Sequence, residues 1–339
     1  MAIGDLNLDG QLDIVVVDVH HGFVQILLAY NQDTFHAPII LNIGVTSTPT
    51  AVVLGYFNAD GYLDIALTVS GYGFVEIWLG FGDGYFFTST SYFMGPSSDP
   101  DSLAVRDLNE DNFPDLIVTL NGYNAIAVFF GNEYGWFEPP ILSFIGSNSN
   151  LNSLVLADFN GDFHTDFAVA NTWNHSITVA FGIGNGSFGE QKILSTGVRS
   201  FPLSIAVGDV NYDHITDIVV ANSESDSIAI FYGIGDGTFE MNIILSAYFA
   251  SPIGIQIADI NGDNHQDILV LNHWNSILFV LLGNGTKSFG SQSACFKLSF
   301  TFPVAFAVED MNRDGLKDMI IGDEIVLFLV QNQASYWVV

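Results

Sequence analysis

The sequence predicts an all-β protein, namely a single seven-bladed β-propeller of four-stranded blades that spans residues 1–339. Three observations support this prediction. An aspartate-rich motif recurs seven times, about 51 residues apart; strand-sized apolar stretches flank each copy; and no segment shows a sustained helical period. Four short strands per repeat are typical of propeller blades, because neighbouring blades cover the apolar faces that one blade leaves open. A linear β-solenoid is the alternative architecture, although its repeats are usually shorter.

The repeated motif has the pattern Asp-x-Asn-x-Asp-x-x-x-Asp and is called the Asp loop below. Loop 2 departs from the pattern, because Tyr56 stands where the other loops have their first aspartate. So regular a spacing indicates a structural repeat and not a set of unrelated acidic turns. Loops 1 to 7 cover residues 5–13, 56–64, 107–115, 158–166, 209–217, 259–267 and 310–318.

The stretches around each loop have the chemistry of strands. They are four to eight residues long, rich in Val, Ile, Phe and Tyr, and bounded by Gly, Asn, Asp and Ser. In the fifth repeat, the predicted strands lie around 205–207, 217–221, 228–232 and 243–245, and a glycine-rich turn follows the third. Each repeat therefore predicts one antiparallel blade.

Composition excludes several classes of function. The chain has 37 acidic and 7 basic residues and a formal net charge of −30, so nucleic acid is a poor partner. No apolar run approaches the roughly 20 residues that span a bilayer. Cys295 is the sole cysteine, which rules out an internal disulfide. No signal peptide is visible after Met1.

Each Asp loop is interpreted as a calcium site. Hard cations prefer oxygen ligands, and alternate positions of a tight turn can converge on one point. We expect side-chain oxygens from positions 1, 3, 5 and 9 and a backbone carbonyl from position 7, with Gly10 supplying the positive φ that loop 1 requires. The predicted ligands are Asp5, Asn7, Asp9, Gln11 and Asp13; Asn58, Asp60 and Asp64; Asp107, Asn109, Asp111, Phe113 and Asp115; Asp158, Asn160, Asp162, His164 and Asp166; Asp209, Asn211, Asp213, Ile215 and Asp217; Asp259, Asn261, Asp263, His265 and Asp267; and Asp310, Asn312, Asp314, Leu316 and Asp318.

Up to seven Ca²⁺ ions are expected, with the site of loop 2 weak or empty. A strained position 6 at Phe163 predicts a distorted loop 4. Acidic turns without metal are the alternative, since Asp and Asn favour turns. However, six loops with three aspartates each and one with two account for 20 of the 37 acidic residues, and crowded carboxylates would repel one another without a cation.

A ligand face is predicted opposite the Asp loops, where the second and third strands of each blade connect. Aromatic rings beside polar groups suit sugar or protein surfaces. Packing between blades and ordinary turn chemistry are the alternatives. The candidate residues are Tyr72, Tyr123, Trp173, His175, His273 and Trp274.

The Asp loops, together with the aromatic-Gly pairs at 130–131, 181–182 and 232–233, resemble the FG-GAP/VCBS repeat family, which includes the propeller of integrin α subunits. The resemblance covers nearly the whole chain. It implies a seven-bladed propeller with calcium between the first and second strands of each blade, and an extracellular role in recognition or adhesion.

The expected function is therefore that of an extracellular or cell-surface module that binds a protein or glycan ligand. No blade carries an insertion or an unusual set of acids and bases, so the chain is not expected to be an enzyme. A propeller-fold lyase or hydrolase acting on carbohydrate, or a purely structural piece of a larger surface protein, are the alternatives.

Overall fold

A computed structural model describes residues 1–31, 34–44, 47–245, 250–289, 293–297, 305–322 and 327–330. These residues form six four-stranded antiparallel sheets, one three-stranded sheet and one small hairpin. Within the same ranges, helical structure is limited to the 3-10 turns Ser70–Tyr72, Asn121–Tyr123 and Thr172–Asn174. No helix among these residues is long and apolar enough to cross a membrane.

The six four-stranded sheets are called blades 1 to 6, and their strands follow one another in chain order. Their strands are β1 (Ala2–Gly4), β2 (Asp13–Asp18), β3 (Phe23–Leu27) and β6 (Ile39–Asn42); β7 (Pro49–Gly55), β8 (Asp64–Val69), β9 (Phe74–Gly80) and β10 (Phe86–Phe93); β11 (Pro100–Arg106), β12 (Asp115–Leu120), β13 (Ala125–Phe129) and β14 (Ile141–Phe144); β15 (Leu151–Ala157), β16 (Asp166–Asn171), β17 (Ser176–Gly182) and β18 (Phe188–Ser195); β19 (Pro202–Gly208), β20 (Asp217–Asn222), β21 (Ser227–Gly233) and β22 (Phe239–Leu245); and β23 (Pro252–Ala258), β24 (Asp267–Asn272), β25 (Ile277–Leu281) and β26 (Ser293–Lys297). The hairpin is β4 (Ala29–Asn31) with β5 (Thr34–Phe35), and the three-stranded sheet is β27 (Ala305–Glu309), β28 (Asp318–Gly322) and β29 (Leu327–Val330).

The all-β fold with four-stranded blades is confirmed, but the expectation of seven such blades is not supported. In the described residues, the seventh repeat forms three strands, β27 to β29, instead of four. This sheet keeps the features that define the start of a blade. Its first strand pairs with its second so that Glu309 lies opposite Asp318, as Gly208 lies opposite Asp217 in blade 5. The residues after Val330, where a fourth strand of the seventh repeat would be expected, lie outside the described residues.

The chain forms two compact units, one of residues 1–154 with 182–189, the other of residues 155–181 with 190–339. The prediction of one domain over the whole chain stays a prediction. In the first unit, apolar clusters fill the space between blades 1 and 2 and between blades 2 and 3. In the second unit, one cluster joins blade 5 to blade 6 and another joins blade 6 to the three-stranded sheet.

The burial of the strands explains their composition. The second strand of a blade, such as Asp115–Leu120, is buried on both faces, so most of its residues after the first aspartate are apolar. The fourth strand is more exposed, and all residues of Phe188–Ser195 are exposed or half-buried. Apolar faces on both sides of the inner strands need covering, and neighbouring sheets within each unit supply it.

Candidate metal and ligand sites

Every Asp loop connects the first strand of a sheet to the second, as predicted. The loop starts just after the first strand, and its ninth residue begins the second strand. In blade 1, for example, Gly4 and Asp13 are paired residues of β1 and β2, so loop 1 closes a hairpin. The sheet therefore fixes both ends of each loop, which holds the polar residues between them in one small turn.

The ninth residue is a buried aspartate that binds the backbone on both sides of it. Its Oδ2 accepts a hydrogen bond from the N–H of position 2 in all seven loops, at distances from 2.8 Å for Leu6 to 3.0 Å for Met311. In five loops its Oδ1 accepts another from the N–H of the residue 16 positions later, at or just past the end of the third strand. This side chain thus ties the loop to the third strand of its own blade, a role that the sequence analysis did not predict.

Positions 3 and 5 form a clasp in all seven loops. The Asn Nδ2 donates to the Asp Oδ2 at 2.9–3.0 Å, and the Asp N–H donates back to the Asn Oδ1. The other carboxylate oxygen at position 5 accepts the N–H of position 7. The residues at position 7, whose backbone carbonyls are the predicted calcium ligands, are therefore held in place.

Position 1 closes the loop by accepting the N–H of position 6. This hydrogen bond is 2.7–2.9 Å long in six loops, from Asp5 to Asp310. Loop 2 has no carboxylate at this position because Tyr56 stands there, and the Tyr56 side chain is exposed. Loop 2 nevertheless keeps the clasp and the buried Asp64, so the loss is confined to one corner of the turn.

The backbone at position 6 is left-handed in every loop, which explains the residue types found there. Glycine takes this conformation at Gly10, Gly61 and Gly315, with φ between 81° and 89°. Phe163 takes it with φ 69°, and its side chain is 93% exposed. The expected distortion of loop 4 does not occur, because the loop keeps the same hydrogen bonds; the strain resides in Phe163 itself.

Burial disfavours the charged form of the ninth aspartate. Desolvation is the largest cause, and the backbone N–H groups offset it only in part, so the pKa of Asp217 rises to about 6. The nearby carboxylates of Asp213 and Asp209 raise the pKa further. The pKa rises to about 6 for the same reasons at Asp13, Asp64, Asp115 and Asp267. A cation beside these carboxylates would favour their charged form and lower their pKa.

The donor set fits a hard divalent cation by its chemistry. Each loop offers carboxylate and amide oxygens within nine residues, and Asp5 Oδ1 is buried with no hydrogen-bond partner. Across the part of the chain that the structure describes, however, no three His, Cys, Asp or Glu side chains converge to form a metal-binding group. Coordination would therefore require carboxylates now held in the clasp to turn toward a shared point.

The six predicted ligand-face residues lie in the connections between second and third strands, and they have different environments. Tyr72, Trp173 and Trp274 are 49–69% exposed. Tyr123 is half-buried and donates its hydroxyl to the carbonyl of Pro96 at 3.2 Å. These connections are braced by the loops that lead into each first strand, since the N–H of Asn121 donates to the Asp99 carbonyl.

Two histidines of this set contribute to loop structure. The ring of His175 lies 5.0 Å from that of Phe201, and its Nδ1 accepts the Phe201 N–H at 3.4 Å. The rings of His273 and Trp274 are in edge contact at 5.3 Å. The structure thus pairs His273 with Trp274 and uses His175 and Tyr123 within loops, which leaves the three exposed rings as the best candidates for ligand contact.

A family profile for the FG-GAP-like repeat matches residues 5–67, 57–118, 107–169, 158–220, 209–270 and 259–321. The chain belongs to the FG-GAP repeat family. The profile finds six repeats, and each match runs from one Asp loop into the second strand of the next blade or sheet. An assignment to integrin α subunits is not supported. No curated protein sequence matches the chain.

Several solved structures are similar to the chain at low sequence identity. Virginiamycin B lyase from Staphylococcus aureus has a TM-score of 0.63 at 11% identity, covering 95% of this chain and 91% of its own. An Agrocybe aegerita lectin that recognises non-reducing terminal N-acetylglucosamine has 0.59 at 17%, covering 95% and 84%. A Lactobacillus plantarum protein has 0.66 at 14%, covering 89% and 84%. Such likenesses show the fold and no more.

Proposed function

We propose that this FG-GAP repeat protein is a calcium-binding recognition or adhesion module of the cell surface or extracellular space, with a protein or glycan as its ligand. The observation that carries the proposal is the sevenfold recurrence of one hydrogen-bonded, carboxylate-rich turn, whereas the exposed rings on the strand 2–3 connections differ from blade to blade. The recurring turn favours a structural task shared by the blades, and the differing rings favour a specific binding task.

Calcium is the proposed ligand of the Asp loops because their oxygens are of the type that hard cations prefer. Positions 1, 3, 5 and 9 would supply side-chain oxygens and position 7 a carbonyl. A bound ion would offset the charge of buried carboxylates whose pKa is raised, and would stabilise the native state by mass action. Loop 2, which lacks the first carboxylate, would bind most weakly.

The exposed rings of Tyr72, Trp173 and Trp274 are proposed to contact the ligand. Aromatic side chains supply large contact area, and their polar atoms can bind a sugar hydroxyl or a backbone group. The Agrocybe aegerita lectin shows that a chain of similar fold can recognise a sugar, which supports a glycan as one ligand class. We propose no catalytic role.

The proposed function is tested by a glycan-array and ectodomain binding screen of the whole chain, with and without calcium. Trp173→Ala and Trp274→Ala should weaken binding of any ligand found by about tenfold each, as expected for aromatic contact residues. Phe163→Ala is the matched control, because it removes an even more exposed ring from an Asp loop and should leave binding unchanged. Binding that is lost equally in all three variants would contradict the assignment of the ligand face.

A further inference from the structure

One open cavity of about 390 Å³ lies where loop 2 meets the connection between β13 and β14. Its lining residues come from two separate segments, Asn58, Ala59 and Asp60 on one side and Glu133 and Tyr134 on the other. The segments are joined by a backbone hydrogen bond of 3.0 Å from the Ala59 N–H to the Glu133 carbonyl, and Asn58 and Tyr134 form a β-bridge. The cavity therefore has a fixed frame.

Both walls of this cavity depart from the repeat. Loop 2 alone lacks the first aspartate, and the facing connection reads Gly131-Asn132-Glu133-Tyr134-Gly135, where blade 2 has a Gly-Phe-Gly-Asp-Gly turn at 80–84. In the regular arrangement, the last glycine of the turn donates to the carbonyl at position 2 of the loop, as Gly84 does to Leu6 at 3.1 Å. At loop 2 the direction is reversed, because the Ala59 N–H of the loop donates to the Glu133 carbonyl of the connection. Two segments in contact with each other thus both differ from the corresponding segments of other blades.

The side chains at the cavity suit a cation. The two carboxylates of Asp60 and Glu133 come from opposite walls. Asp60 is fixed by hydrogen bonds from the Asn58 Nδ2 and the Tyr62 N–H, both 2.9 Å, and each of its oxygens keeps a further lone pair. The Glu133 carboxylate lies beside the Tyr134 hydroxyl, where it raises the pKa of Tyr134. Tyr134 is 66% exposed, so its ring is accessible to a ligand.

Charge selects among the ligands that these groups could hold. No basic residue lines the cavity, and the chain has a formal net charge of −30, so its field concentrates cations at the surface. A guanidinium or ammonium group can pair with both carboxylates and lie over an aromatic face. A neutral sugar would gain nothing from the field.

We propose that this cavity binds the basic side chain of an arginine or lysine on a protein partner. The site lies at an Asp loop, so it is separate from the ligand face proposed above. It uses loop 2, the loop least suited to calcium, and it needs no metal at the other six. Loop 2, which has Tyr56 in place of the first aspartate, lacks one calcium ligand and instead forms one wall of a cavity for an organic cation.

The test is calorimetric titration of the whole calcium-loaded chain, at low salt, with a glycine peptide that carries two arginines. The same peptide with citrulline in place of arginine is the ligand control. The arginine peptide should bind and the citrulline peptide should not. Glu133→Gln should weaken binding about tenfold, because it removes one charge-assisted contact and keeps the side-chain shape.

Variants separate a specific site from a merely acidic surface. Glu138→Gln makes the same charge change on an exposed residue of the same connection, outside the cavity lining, and should leave affinity within about twofold. Tyr134→Phe should retain binding and Tyr134→Ala should weaken it, since the ring face is what the cation contacts. Unchanged circular-dichroism melting would show that each variant is folded.

The proposal would be overturned if the citrulline peptide bound as tightly as the arginine peptide, or if Glu133→Gln and Glu138→Gln weakened binding of the arginine peptide equally. It would also be overturned if neither Glu133→Gln nor Tyr134→Ala changed the affinity for the arginine peptide. A neutral sugar that binds here through Tyr134 and ignores the Glu133 charge would overturn it as well. Failure of calcium binding at the other loops would leave this test unaffected, so the two hypotheses can fail separately.

Discussion

The buried ninth aspartate makes a prediction that runs against intuition about hydrogen-bonded carboxylates. Asp217 is fully buried and accepts the N–H groups of Val210 at 3.0 Å and Gly233 at 2.8 Å, yet its pKa rises to about 6 from 3.8. A folded-state pKa above the unfolded one means that the folded chain holds the proton longer. In calcium-free solution, stability should therefore fall as the pH rises from about 4 to 6, and stay low above that window.

Asp217→Asn removes this charge, but the asparagine Nδ2 cannot accept a hydrogen bond, so only one of the two backbone N–H groups keeps its acceptor. The pKa difference corresponds to a free energy on the order of 2–3 kcal/mol. At pH near 4, where Asp217 of the folded parent chain is protonated, the variant should be less stable by about 1–3 kcal/mol, because one buried N–H has lost its acceptor. Without calcium, this deficit should shrink by about 2–3 kcal/mol between pH 4 and pH 7, because only the parent chain carries the buried charge at the higher pH. With saturating calcium the deficit should widen, because a ligand oxygen is lost.

Urea unfolding of both chains in metal-stripped buffer, repeated with calcium, measures these differences. Glu190→Gln is the control, because this exposed residue of β18 carries the same charge change outside the Asp loops. Its stability should follow the parent chain to within about 0.5 kcal/mol at both pH values. If Asp217→Asn were destabilising to the same extent at pH 4 and pH 7 without calcium, the argument from desolvation would be refuted.

Three further predictions concern single loops. Phe163→Gly should raise the unfolding free energy by about 0.5–1 kcal/mol in thermal or urea unfolding, because the ring is exposed and glycine relieves a left-handed backbone; a lower stability would show that the ring makes an unseen contact. Tyr56→Asp should restore the missing position 1–6 hydrogen bond, add one calcium ion to the stoichiometry seen by calorimetry and raise the melting temperature in calcium; an unchanged stoichiometry would contradict the ligand assignment. Asp213→Asn should lower the number of bound calcium ions by one, whereas Asp236→Asn in the neighbouring turn, outside the loop, should leave the number unchanged.

The repeat made most of the fold predictable from the sequence. Once the nine-residue pattern fixes where the loops are, the apolar runs on either side must be the strands that enter and leave them, and the structure has Asp13 and its six equivalents at the start of a second strand. The count of complete blades was wrong because the seventh repeat lacks the glycine turn and its end differs from the others, so periodicity carried no information there.

Roles that depend on contacts between distant segments could not be predicted. Loop spacing shows that Asp217 shares a turn with Asp209, but not that its carboxylate reaches the Gly233 N–H on the third strand. The cavity at loop 2 was missed because Glu133 and Tyr134 lie over 70 residues from Asn58 in sequence. One signal was available: the blade 3 connection at 131–135 lacks the Gly-x-Gly-Asp/Asn-Gly turn that blades 2, 4 and 5 share, and departures from a repeat are where a specific function can arise.

The aromatic residues predicted to form a ligand face all lie in one class of loop, the connections between second and third strands, but their separate environments required coordinates. Tyr123 looks like Tyr72 in sequence, since both end a Ser/Asn-Gly-Tyr turn. In the structure Tyr123 binds the Pro96 carbonyl, while the Tyr72 side chain is 49% exposed. The difference arises in the preceding loop, whose Gly95 lies against the Tyr123 hydroxyl, and local pattern does not encode that contact.

Calcium titration of the metal-stripped chain at pH 7, followed by calorimetry, tests the central claim most directly. The Asp loops predict about six strong sites, a seventh that is weak or empty, and a melting temperature that rises with free calcium by mass action. Heat signals with no saturable sites, together with a melting temperature that does not respond to calcium, would show that these turns are structural in their own right and hold no cation.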